Sequence, residues 1–220
     1  MSFEFEAKFM EIDIKKLRKN IKENGGKRIH KMVMYKRYVF NLLNSKEIGY
    51  IRIRDENGNI TITLKKYPSN SKFAKEYEIL LDKDSTINDA KELLLAQGYK
   101  IKAYHETLRE KWSIDGCPEI AIDTIPGIPS YVEIECKDES TIKKISKILG
   151  FNMKDAKYGP YVNQYLDYYN INIDDGNHPS LTFLNIDKEL NPEKDSQKKF
   201  LIKIKKDNLD LIKKNKIVMK

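Results

Sequence analysis

The chain of 220 residues is short of cysteine, arginine and long apolar runs, and each shortage excludes a class of protein. Its two cysteines, Cys117 and Cys136, lack C-x-x-C spacing and are too few for a disulfide framework or a thiolate zinc site. Both are therefore expected to be reduced, structural thiols, with no redox chemistry. No apolar run approaches the roughly 18–20 residues that a membrane span needs. The opening MSFEFEAKF carries acids where a signal peptide has basic and then apolar residues. A cytoplasmic protein with no membrane association is the expectation. No internal repeat, low-complexity tract or glycine-rich phosphate loop occurs. His30, His105 and His178 lie far apart without ligand spacing, and only His105 falls in phase with neighbouring charged side chains.

What is present is enough for a folded core. Apolar residues make up 40% of the chain, and 13 Tyr, 8 Phe and one Trp supply bulk, so global disorder is excluded despite 34% charged residues. The net charge of +8 is unevenly placed. From Glu193 to Lys220 ten Lys face four acids, which leaves about +2 for the rest, so the basic character resides mostly in a tail. That tail, from Asn191, mixes Lys with Leu and Ile as an amphipathic helix or strand would. It could cap the fold with Leu201, Ile202, Ile204, Leu209, Leu211 and Ile212, meet an acidic partner, or touch RNA phosphates.

Periodicity predicts eight strands, over residues 2–9, 28–40, 48–55, 59–67, 73–81, 99–113, 118–124 and 130–137. Asn57-Gly58 and Asp115-Gly116 sit between alternating runs and read as tight hairpins, which implies antiparallel pairing. Helices are predicted from Ile12 to Glu23, from a Ser85 or Thr86 cap to Gly98, and from Glu139 to Gly150. Tyr158 to Tyr169 fits a fourth helix or a closing strand. Its tyrosines, 158, 161, 165, 168 and 169, have the spacing of a packing face. Trp112 and Cys136 alternate away from their charged neighbours and belong to the core.

In a strand, residues i and i+2 share a face about 6.5–7 Å apart. Glu4 and Glu6 share one, continued by Lys8. Arg52 and Arg54, Glu76 and Glu78, Arg109 and Lys111, and Glu133 and Glu135 form further pairs, while Lys65 follows Thr61 and Thr63, and Asp123 follows Ala121. An exposed antiparallel face ordinarily mixes signs, because like charges opposite one another are destabilising. Three of the six arginines lie in these pairs, where a guanidinium fork matches phosphate oxygens. A polyphosphate with a divalent metal compensates both signs. Lys8, Arg52, Arg54, Lys65, Arg109 and Lys111 can bind phosphates, and Glu4, Glu6, Glu76, Glu78, Asp123, Glu133 and Glu135 can offer oxygen to Mg²⁺ or Mn²⁺. Eight antiparallel strands suit closure into a barrel with helices outside.

These segments resemble the CYTH domain, the triphosphate tunnel metalloenzymes that include class IV adenylate cyclases and thiamine triphosphatases. The similarity rests on Glu4-Phe5-Glu6-Ala7-Lys8, Arg52-Ile53-Arg54, Thr63-Leu64-Lys65, Glu76-Tyr77-Glu78, Arg109-Glu110-Lys111-Trp112, and Asp123 through Pro126-Gly127 to Glu133-Ile134-Glu135, in the family's order. It implies an α+β fold, a closed eight-stranded antiparallel barrel with helices packed on the outside, over residues 1–172. A C-terminal extension with the basic tail follows over residues 173–220. Two segments depart from the pattern. Tyr35 to Phe40 lacks the acid many relatives carry on the second strand, and nothing beyond Asn172 matches the family core.

Within that frame Glu4, Glu6, Glu133 and Glu135 are the leading metal ligands, supported by Glu78 and Asp123, with Glu76 able to ligate or to orient cations. Lys8 either assists the nucleophile or pairs with Glu6 or Glu135, and Glu4 and Glu6 join it as catalytic candidates. The first expected activity is metal-dependent hydrolysis of a triphosphate: tripolyphosphate, thiamine triphosphate, a nucleoside triphosphate or an RNA 5′ triphosphate. The second is an adenylate cyclase that makes cyclic AMP and pyrophosphate, which requires an adenine pocket no sequence feature specifies. The third is a non-catalytic binder of polyphosphate or RNA 5′ ends, which would not need so many acids. A homodimer is compatible with all three.

Overall fold

The computed structural model describes residues 5–44, 46–67, 75–158, 161–173 and 180–219, with Glu76 described through its backbone alone. The predicted strands are β1 (Phe5–Phe9), β2 (Lys27–Asn41), β3 (Gly49–Glu56), β4 (Asn59–Lys66), β5 (Lys75–Leu80), β6 (Ile101–Ile114), β7 (Cys117–Thr124) and β8 (Tyr131–Cys136). The predicted helices are α1 (Ile14–Glu23), α2 (Ile87–Ala96) and α3 (Glu139–Ile148). The tyrosine segment forms a helix, α4 (Asn163–Tyr169), and the tail forms α6 (Asp195–Lys214). A two-residue strand β9 (Ser180–Leu181) and a short helix α5 (Ile186–Glu189) lie where sequence periodicity is absent.

The fold is α+β. The strands pair in the order β1, β8, β7, β6, β2, β3, β4, β5, with β9 added on β6. The pairs β1–β8, β8–β7, β7–β6, β2–β3, β3–β4 and β4–β5 are antiparallel, while β9 runs parallel to β6. Among the described residues, hydrogen bonds leave β1 and β5 as sheet edges. No described helix is long and apolar enough to cross a membrane. The β3–β4 hairpin turns at Asn57 and Gly58, both with positive φ (58° and 96°), a geometry Gly accepts freely and Asn tolerates.

Contacts divide the chain into two units. The first comprises Met1–Val33, Thr107–Asn172 and Asn191–Lys220; the second comprises Met34–Glu106 and Ile173–Leu190. In the first unit, one face of β1, β8, β7 and β6 is apolar and buried through Ala7, Phe9, Leu108, Ile120, Ile122, Val132 and Ile134. Helix α3 packs on β8, β1 and β7. It starts at Asp138, whose carboxylate accepts the Thr141 N–H at 2.7 Å. Helix α1 starts likewise at Asp13 and buries Leu17 and Ile21. Its Arg18 reaches the fully buried Glu110 of β6, with Nε at 3.1 Å and Nη2 at 2.5 Å, and the Trp112 Nε1–H donates to the same carboxylate at 2.7 Å. Arg28 and Lys22 lie over the indole at 5.6 and 6.0 Å.

Cys117 and Cys136 are joined as a disulfide, which corrects the expectation of reduced thiols. Cys117 opens β7 and Cys136 closes the antiparallel β8, so strand pairing brings them to one end of the hairpin despite 19 residues of separation.

The opposite end of that hairpin is held by the C-terminal helices. Tyr165 of α4 donates its hydroxyl to the Pro126 carbonyl at 2.7 Å, and Tyr169 donates to the Gly127 carbonyl. Asn208 of α6 accepts the Gly127 N–H at 3.0 Å and donates to the Ile128 carbonyl at 3.4 Å. All three side chains are buried. Leu201, Ile204 and Ile212 of α6 are buried as expected, whereas Ile202 is exposed because it lies one helical step off their stripe.

In the second unit α2 starts at Thr86 with a capping box to Asp89 and lays Ala90 and Leu94 on Phe40, Ile51, Ile53 and Ile60. The core thus lies on one face of β2, β3 and β4, and Arg37, Arg52, Arg54 and Lys65 alternate onto the other.

Asn208→Ala leaves the buried Gly127 N–H without its acceptor, at a cost of about 1–3 kcal/mol. Urea unfolding should show a lower midpoint for the variant; an unchanged midpoint would mean that α6 does not fix the turn.

Candidate functional site

In the first unit the face opposite the apolar one carries charge across four strands. Register sets Glu6 of β1 opposite Glu135 of β8, and Glu135 opposite Glu119 of β7, so three carboxylates stand in one row. The next row runs Lys8, Glu133, Ala121, Lys111, and Asp123 faces Arg109 beyond it. The structure therefore brings together Glu6, Lys8, Arg109, Lys111, Asp123, Glu133 and Glu135, seven of the expected residues. Glu4 lies outside the described residues.

Cations hold this face together. The Lys8 ammonium lies 2.7 Å from Glu6 and 3.2 Å from Glu133, so its ion pairs are with Glu6 and Glu133 rather than Glu135. Burial works to lower the Lys8 pKa, but Glu133 and Glu6 outweigh it and hold the value above the usual lysine range. These two carboxylates thus favour the protonated form of Lys8. The Arg109 guanidinium grips Asp123 through Nε at 2.8 Å and Nη2 at 2.6 Å, and reaches Glu119 through Nη1 at 2.8 Å. Lys111 meets the second Glu119 oxygen at 2.7 Å. The Glu133 carboxyl has a raised pKa, first because it is buried and further because Asp123 and Glu6 repel it, while Lys8 and Arg109 oppose the rise.

Glu119 on this face and the Arg18–Glu110 pair behind it were not anticipated. Glu119 falls in the alternation that carries Ala121 and Asp123, two residues earlier, and extending that phase would have found it. The Arg18–Glu110 pair could not be read, since it joins a helix to a strand 92 residues away.

Every acidic donor on this face is a carboxylate oxygen, the chemistry that suits a hard divalent cation. Among the described residues no three such groups, nor His or Cys, converge closely enough to hold an ion. Lys8 and Arg109 occupy the positions between them.

In the second unit the charged face is basic. Register places Arg54 opposite Arg37 of β2 on one side and Thr61 on the other, and Arg52 opposite Thr63. Lys65 pairs in register with Tyr50 and Glu76. Arg52 lies 3.2 Å from the Thr63 hydroxyl, which donates to Glu78 at 2.6 Å. Glu78 is 3.5 Å from Arg52 and 4.0 Å from Arg54, and Arg54 also pairs with Glu56. The structure brings Arg52, Arg54, Lys65 and Glu78 onto one face; the Glu76 side chain lies outside the described residues. Arg37 joins them, although its strand departs from the family pattern. The His105 pKa is lowered to about 3, first by burial and then by Arg37 and Lys102, so it is neutral at physiological pH. His30 bonds its neighbour's carbonyl through Nδ1, and His178 lies outside the described residues.

The chain belongs to the CYTH domain family, whose sequence profile matches residues 2–157. None of the curated proteins matches it. Among solved structures it is similar to a conserved hypothetical protein from Pyrococcus furiosus, at 20% identity and a TM-score of 0.56, covering 72% of this chain and 98% of that one. A Pyrococcus horikoshii protein matches at 21% identity and a TM-score of 0.54 over 75% and 99% of the two chains. A "putative adenylate cyclase" from Vibrio parahaemolyticus matches at 13% identity and a TM-score of 0.56 over 76% and 98%. These likenesses establish the fold.

Glu135→Gln removes the middle charge of the Glu6, Glu135, Glu119 row. Without divalent cations it should raise stability by roughly 0.2–1 kcal/mol, the scale of a relieved like-charge pair. A lower thermal midpoint would show that Glu135 holds the strands together.

Proposed function

We propose that this protein is a metal-dependent triphosphate-processing enzyme that hydrolyses the terminal phosphate of an inorganic or organic triphosphate. The observation that carries the reading is the separation of sign. The charged face of the first unit holds Glu6, Glu119, Asp123, Glu133 and Glu135 against Lys8, Arg109 and Lys111, while that of the second unit sets Arg37 directly opposite Arg54 and adds Arg52 and Lys65 against Glu56 and Glu78. Like charges in direct register are destabilising unless something of opposite sign compensates them. A triphosphate suits the arginines and a hard divalent cation suits the carboxylates.

In this reading Arg52, Arg54 and Lys65 bind phosphate oxygens, with Arg109 and Lys111 as further phosphate contacts. Guanidinium forks meet two oxygens each and spread the charge that develops on the transferred group. Glu6, Glu133 and Glu135, with Glu4, would hold Mg²⁺ or Mn²⁺, supported by Asp123, and Glu78 is the metal-ligand candidate of the second unit. When bound, such an ion supplies Lewis-acid polarisation of phosphoryl oxygens. Lys8 pairs with both Glu6 and Glu133 and aims them. Hydrolysis forms a bond from a water oxygen to the terminal phosphorus and breaks the bridging P–O bond. The diphosphate remainder leaves with the electron pair, the terminal group becomes orthophosphate, and a proton passes to solvent. The family's closed barrel and a cytoplasmic location belong to this same proposal.

The experiment is product analysis by phosphorus NMR with tripolyphosphate, ATP, thiamine triphosphate and triphosphorylated RNA, each with Mg²⁺ and with Mn²⁺. Release of orthophosphate supports hydrolysis. Cyclic AMP and pyrophosphate from ATP would assign the cyclase activity named for the Vibrio relative, and binding without turnover would assign a non-catalytic module. Arg52→Ala should weaken tripolyphosphate binding at least tenfold more than orthophosphate binding, because the extended chain needs each guanidinium. Equal losses for both ligands would mean that Arg52 serves the sheet.

A further inference from the structure

Glu119 is a carboxylate to which the triphosphate reading assigns no role of its own, and it sits on Arg109 and Lys111 of β6. One oxygen accepts from Arg109 Nη1 at 2.8 Å and the other meets Lys111 Nζ at 2.7 Å. It therefore spans two positive groups two residues apart on one strand face, as a phosphoryl group with several oxygens would. We propose that Glu119 is a positioning residue that stands in for a phosphoryl group on Arg109 and Lys111 and makes anion binding there depend on a divalent cation. The inference rests on the triphosphate reading and adds a determinant of which ligands that site accepts.

Exposure decides which contact can exchange. Asp123 is fully buried and grips Arg109 through two bonds, so it stays in place. The Glu119 and Lys111 side chains are 20% and 24% exposed and can part without opening the core. Lys111 has no other acceptor among its hydrogen bonds and ion pairs in the described residues. The backbone beneath Glu119 is anchored, since Cys117, two residues earlier, is bonded to Cys136. Displacement of Glu119 therefore moves its side chain and not the strand.

Where the carboxylate goes when displaced supplies the link to metal. Its cross-strand neighbour is Glu135, and beyond that stands Glu6. A released Glu119 meets like charge unless a divalent cation joins the row. Ligands of low charge, such as orthophosphate, should fail to displace it; a triphosphate accompanied by Mg²⁺ should succeed.

The test is calorimetric titration of the full chain with tripolyphosphate, in EDTA and then in Mg²⁺, for wild type, Glu119→Gln and Glu119→Asp. Gln keeps the size and one acceptor oxygen for Arg109 but cannot accept from Lys111 through its amide nitrogen. The Gln variant should bind tripolyphosphate at least tenfold more tightly than wild type in EDTA and gain less from Mg²⁺; the Asp variant, with charge restored, should return toward wild type. Lys111→Met in the Gln background should abolish the gain. Unchanged or weaker binding by Glu119→Gln in EDTA would overturn the proposal while leaving the triphosphate reading intact. Failure of wild type and variants to bind tripolyphosphate in either condition would overturn both.

Discussion

Three carboxylates in register across β1, β8 and β7 are the constraint around which the first unit is organised. Glu6, Glu135 and Glu119 follow one another across adjacent strands, where opposed side chains sit about 4.5–5.5 Å apart and like charges repel. The strands tolerate the row because cations are built in beside it. Lys8 draws Glu6 and Glu133 together, and Arg109 and Lys111 hold Glu119. The Arg109–Asp123 bond is a desolvated, two-point pair whose loss of either partner would leave a buried charge. Among the described residues this face carries five carboxylates and three cations, the balance on which the proposed divalent cation rests.

The apolar side of the same strands is arranged to keep that face rigid. Arg18 and Trp112 both bind Glu110, so the strand that presents Arg109 and Lys111 outward is fastened behind them to α1. The β7–β8 hairpin is fixed at both ends, by the Cys117–Cys136 bond at one and by Tyr165, Tyr169 and Asn208 at the other. Helix α6 lies beyond the stretch that matches the CYTH family, yet it serves the turn between Asp123 and Glu133. Its lysines other than the half-buried Lys205 face solvent, while Leu201, Ile204, Asn208 and Ile212 face the protein.

Strand positions and the charged face were legible because a period of two survives in single segments such as Arg52-Ile53-Arg54 and Glu133-Ile134-Glu135. Partners were not, because they depend on register. The sequence indicates that Lys8 lies near acids but cannot say that Glu133 faces it and Glu135 faces Glu6. Arg37 was passed over for the same reason; only pairing shows that it opposes Arg54. The cysteine pair needs knowledge that β7 and β8 are neighbours. Strand β9 is two residues long and carries no periodicity, so its pairing with β6 had no signal in the chain. Helix α6 was visible as an amphipathic stripe, but the capture of Gly127 by Asn208 joins residues 81 apart.

The proposed function has the carboxylates take a divalent cation and the arginines take a triphosphate, two ligands of opposite sign that strengthen each other's binding. Its most direct test is the thermal midpoint of the wild-type chain with Mg²⁺ alone, with tripolyphosphate alone and with both. Ligands that bind the folded state raise the midpoint according to their affinity, and coupled ligands raise it beyond the sum of their separate effects. The account predicts a combined shift clearly larger than the two separate shifts added. A combined shift equal to that sum, or no shift with tripolyphosphate in any condition, would contradict it.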